Sequence, residues 1–112
     1  MKESPIFSKT YDLIQWLIPV TLKFPRNQRF VMAERVQTCV FQFQEHLVAA
    51  AQGRAALSAL IDADIALNQL RLYLRHSVDF KLISIGQFQH VGKMVDEIGR
   101  LLGGWKKSLD RS

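Results

Sequence analysis

The chain has a single cysteine, Cys39, so no disulfide can form within it. It has no CxxC pair and no Cys/His cluster, so no zinc-type ligand set is present and no metal is expected. Only three prolines and six glycines interrupt 112 residues, and three of those glycines (Gly99, Gly103 and Gly104) fall close to the C-terminal end. No apolar run approaches the ~20 residues that cross a bilayer. The opening MKESPIFSKTYD lacks the apolar core of a secretory signal. These absences lead to the expectation of a cytoplasmic protein in a reducing compartment. Strand-like alternation is missing throughout, which argues against a sheet.

What is present suits one helical domain. Hydrophobic residues make up 48% of the chain and aromatic residues 10%, enough for a real core and too many for compositional disorder. The length fits one domain, taken here as residues 1–112. Lysine and arginine number 15 against 10 acids, giving a formal charge of +5. Such a surplus favours polyanionic partners, although ordinary colloidal charge would also produce it.

Breakers divide the chain into four segments. Ser4-Pro5 is a cap followed by proline in the first turn, and it opens a helix to about Lys23. Ile6, Leu13, Leu17, Val20 and Phe24 form its apolar stripe. Pro19 lies inside and is expected to kink or shorten it. Phe24-Pro25 makes the first joint. The second segment runs from about Asn27 to Gln52, with Met32, Val36, Val40, Phe43 and Leu47 facing the core. Gly53 is the next break. The third segment, from about Ala55 to Phe80, carries Leu57, Leu60, Leu67, Leu70, Leu74 and Val78. Ser84 caps the fourth, whose stripe is Phe88, Val91, Val95, Ile98, Leu102 and Trp105, and a basic tail from about residue 105 is expected to fray. Four amphipathic helices with short joints predict an all-α, antiparallel up-down-up-down four-helix bundle. Phe41 and Val48 on the second segment, and Ile61, Ile65 and Leu72 on the third, lie off the core stripes. A helix with a second apolar face is buried on two sides or paired with another chain, so these residues predict an oligomer.

The usual chemistry of bundles is absent. A di-iron centre needs Glu-x-x-His, yet Phe43, Tyr73 and Gln87 stand three residues before His46, His76 and His90. No P-loop, GxSxG or HExxH occurs. The chain therefore reads as a binding protein with no catalytic residues and no cofactor.

Its basic residues form two groups. Arg71 and Arg75, four apart, project from one helical face and can grip adjacent phosphates. The competing reading is a solvated face on which Arg71 pairs with an acid. Lys23, Arg26 and Arg29 cluster around the first joint. No aromatic residue interleaves with the arginines in an RRM-like or OB-like way. Backbone-directed, salt-sensitive binding is thus expected, without base stacking.

The run WLIPVTLKFPRNQRFVMAERV at residues 16–36, RLYLRH at 71–76 and VDEIGRLLGGWKKS at 95–108 resemble the accessory variability determinant (Avd) proteins of diversity-generating retroelements. The resemblance extends over nearly the whole chain. It implies a four-helix bundle that assembles as a homopentamer with a central channel and a basic surface. It also implies association with the retroelement's reverse transcriptase and with template RNA or its complementary DNA, in support of mutagenic reverse transcription, with no catalytic centre of its own and no membrane. The matching basic positions are Arg26 and Arg29 in the first run and Arg71 and Arg75 in the second; HSVDF after Arg75 departs from the family pattern and weakens the case for Lys81. Two alternatives stay open: a four-helix protein encoded in a ribosomal RNA intervening sequence, and an oligomeric interaction scaffold with no nucleic-acid role.

Overall fold

At the breaks expected at Phe24-Pro25, Gly53 and Ser84, the backbone turns. The computed structural model describes residues 5–53 and 55–110. Four α-helices account for most of them, with no strand among the described residues: α1 Pro5–Leu22, α2 Glu34–Ala51, α3 Ala56–Asp79 and α4 Ile85–Asp110. The start of α4 is a reciprocal capping box. The backbone N–H of Gln87 donates to Ser84 Oγ at 3.0 Å, and the Ser84 N–H donates to Gln87 Oε1 at 2.9 Å. Between α2 and α3 the chain takes a positive φ twice, at Gly53 (93°) and at Ala55 (52°). Glycine adopts that conformation freely, which ends α2 where the sequence breaks. The cap expected at Ser4 lies outside the described residues.

The core follows the predicted stripes. Leu13, Leu17, Val36, Val40, Phe43, Leu47, Leu60, Leu67, Leu70, Val91, Ile98 and Leu102 are all buried. Each helix packs on two others: α1 on α2 and α4, and α3 on α2 and α4. The molecule is elongated, at 47 × 24 × 19 Å. Half-buried Trp16 lies against His90 with ring centres 5.1 Å apart, and half-buried Trp105 meets Phe7 edge-on at 6.0 Å. Both tryptophans therefore tie α1 to α4. No described helix is long and apolar enough to cross a membrane.

Several expectations are corrected. Of the two effects expected of Pro19, shortening does not occur: the helix passes through it to Leu22, next to the expected end at about Lys23. The lost backbone bond would have ended on the carbonyl of Gln15, an exposed residue that water can serve. The frayed tail from about 105 is instead the end of α4, which runs through Gly103 and Gly104 to Asp110. Trp105 and Leu109 pack against the core there and outweigh the low helix propensity of two glycines. Leu57, expected in the core, is exposed.

Thr10 is wholly buried, and its hydroxyl has no hydrogen-bond partner. An unsatisfied buried polar group costs about 1–3 kcal/mol, and valine fills the same space at similar helix propensity. Thr10→Val should therefore raise the melting temperature by several degrees in a calorimetric scan. A lower melting temperature would mean that the hydroxyl is satisfied in solution.

Candidate functional site

The first joint forms an unusual helix entrance. Arg26–Gln28 make a 3-10 turn, and Arg29–Ala33 make a π turn before α2 begins. The π turn closes when the Glu34 N–H donates to the Arg29 carbonyl, five residues back. Such wide turns occur frequently at functional sites. Here Met32 and Ala33 face the core, while Phe30 and Val31 face outward and Phe30 is 80% exposed. Lys23, Arg26 and Arg29 all lie on this exposed segment. None of the three forms an ion pair among the described residues.

Arg71 and Arg75 are placed differently. Arg71 reaches from α3 across α4, bonding Asn68 Oδ1 at 2.9 Å and lying 3.6 Å from Asp96. Gly99 makes room for it, since a Cβ there would stand 2.7 Å from the guanidinium nitrogen Nη2. Arg75 pairs with Asp79 one turn along α3, at 3.4 Å. Arg71 thus has the acid partner that the competing reading foresaw, and Arg75 has one as well. Both pairs are solvent-exposed and worth at most about 1 kcal/mol, so a phosphate can displace the acids. While intact, they offset the positive charge of both arginines. Lys106 is likewise held by Asp64, and Lys9 by Glu97.

Sequence reading missed one further cation. Arg35, on the first turn of α2, lies over the ring of Tyr73 on α3, with its guanidinium carbon 5.9 Å from the ring centre. It has no carboxylate partner among the described residues. Phe30, Arg35 and Tyr73 line one cleft together. Arg35 and Tyr73, far apart in sequence, are therefore brought side by side by the packing of α2 on α3. The Arg29-Phe30 doublet was a local hint.

Cys39 lies at the same cleft and is buried. Burial raises its thiol pKa above the ordinary value, and the charge of Arg35 offsets part of that rise. The thiol thus stays protonated and unreactive near neutrality. No group of three His, Cys, Asp or Glu side chains suited to a metal occurs among the described residues.

A protein-family model described as bAvd-like matches residues 5–109. No curated protein sequence matches the chain. Among solved structures, the chain is similar to a protein of unknown function from the S23 ribosomal protein family of Bacteroides thetaiotaomicron VPI-5482. The two are 16% identical and superpose with a TM-score of 0.80, over 91% of this chain and 98% of the other. At that identity the likeness concerns the fold alone.

Proposed function

The chain belongs to the bAvd-like family, and on that premise we propose that it is a non-catalytic accessory protein of a diversity-generating retroelement. In this reading it binds the reverse transcriptase together with template RNA or complementary DNA, and so supports mutagenic reverse transcription. The observation that carries the nucleic-acid part is the set of cations Lys23, Arg26 and Arg29 on one exposed joint, unpaired among the described residues. That joint lies inside the run on which the family resemblance rests. Arg71 and Arg75 add a second, partly neutralised patch.

The arrangement this reading assumes is the up-down-up-down bundle. Its support is the sense of the cross-contacts: Arg71 meets Asp96 while Asp64 meets Lys106, and Phe7 meets Trp105 while Trp16 meets His90. In both helix pairs, rising numbers on one helix meet falling numbers on the other. The reading also assumes a homo-oligomer, a pentamer by family analogy. Leu57, Ile61, Ile65 and Leu72 leave an apolar stripe exposed along α3, and such a stripe is characteristic of a helix covered on its outer side.

A single subunit offers few phosphate contacts, and a ring multiplies them on one strand. Two measurements test the reading. Light scattering should give five times the 12.9 kDa of one chain. Binding of single-stranded RNA should weaken linearly in log affinity against log salt, since each neutralised phosphate releases counterion. Affinity that is absent at low salt, or flat with salt, would favour the scaffold with no nucleic-acid role.

A further inference from the structure

We propose that the cleft along α2 and α3 at the π turn is a stacking site for an unpaired nucleobase of a single strand whose phosphates lie on Lys23, Arg26 and Arg29. This rests on the nucleic-acid reading above and adds to it a contact that senses the base. The cleft has a volume of about 320 Å³, at the small end of the ~300–1,000 Å³ of ligand sites, which suits one ring system rather than an extended ligand. Its walls carry Phe30, Arg35, Tyr73, Gln42, Gln69 and Glu34.

The residue types divide the work. Phe30 is 80% exposed, and the π turn that displays it leaves its ring unused by the core. Such a ring is disfavoured in water and available to stack on a base. Arg35 already lies over Tyr73, so its guanidinium plane extends the aromatic surface. Gln42 and Gln69 offer amides that both donate to and accept from a base edge. The Glu34 carboxylate, also on the cleft wall, repels a phosphate but accepts hydrogen bonds from base N–H groups. The strand should then enter base first, with its phosphates left outside. Those phosphates meet Arg29, the residue before Phe30, and Arg26 and Lys23 upstream in the same joint.

The test compares a single-stranded RNA with an abasic strand of the same length and phosphate count, and with free nucleoside monophosphates. The wild-type protein should prefer the base-bearing strand by about tenfold or more, within the range of base–aromatic stacking. Phe30→Leu keeps apolar bulk but loses the ring, and it should abolish the preference while leaving the salt slope unchanged. Phe30→Tyr should retain the preference. Equal wild-type affinity for both strands would overturn the stacking site and leave phosphate binding standing. A preference that survives Phe30→Leu would overturn it too. If Phe30→Leu changes the oligomer mass rather than the preference, the cleft is a subunit contact. Free monophosphates that bind as tightly as the strand would make this a nucleotide pocket and overturn the strand. Binding of neither strand would overturn the nucleic-acid reading and this inference together.

Discussion

The triple variant Lys23→Ala, Arg26→Ala, Arg29→Ala should lose on the order of a hundredfold in affinity for single-stranded RNA near 0.1 M salt. Three phosphate contacts from one subunit, each contributing about 0.7 to the log–log salt slope, make a slope of about 2, a lower bound where further subunits engage the same strand. Across the decade from about 1 M to 0.1 M salt, that slope amounts to about two decades of affinity. All three side chains belong to exposed residues outside the core, so helicity and oligomer mass should not change. The double variant Arg71→Ala, Arg75→Ala should lose less, because Asp96 and Asp79 already neutralise part of that charge. Filter binding at several salt concentrations distinguishes the two. A larger loss in the double variant would return the principal role to the arginine pair on α3.

Phe43→Ala should be the most damaging single change to stability. Phe43 is fully buried in α2 and heads the largest inaccessible side chains of the core. Removing a buried phenylalanine costs about 3–5 kcal/mol in lost transfer energy and cavity, against a total of about 5–15 kcal/mol for a domain. The melting temperature should fall by roughly 12–40 °C, at about 4–8 °C per kcal/mol for a domain near this size. Trp105→Ala should cost less, because Trp105 is only half-buried where it meets Phe7. Equal melting of the Phe43 variant and the parent would contradict the packing described here.

The core was legible in the sequence because helical periodicity alone assigns Met32, Val36, Val40, Phe43 and Leu47 to one face. The second apolar face was legible for the same reason: Ile61, Ile65 and Leu72 are all exposed. The π turn was not legible. Its defining bond spans five residues and leaves no signature in residue type, so Phe30 gave no sign of being displayed. The continuation of α4 past Gly103 was hidden because local propensity argues against it and only tertiary contacts of Trp105 and Leu109 decide it. At the candidate site, periodicity paired Arg71 with Arg75 but could not find Asp96, which sits on another helix. Arg35 was missed because its significance depends on Tyr73, distant in sequence and adjacent only after α2 packs on α3.

The central claim is the accessory role in reverse transcription. It is tested most directly by co-expressing the tagged chain with the reverse transcriptase and template RNA of the proposed retroelement, then purifying by the tag and measuring the mass and composition of what elutes. The account predicts a complex containing the oligomeric chain, the polymerase and RNA, which the Lys23, Arg26 and Arg29 triple variant weakens as salt rises. Elution of the chain alone at low salt, with its helicity and oligomer mass intact, would contradict it.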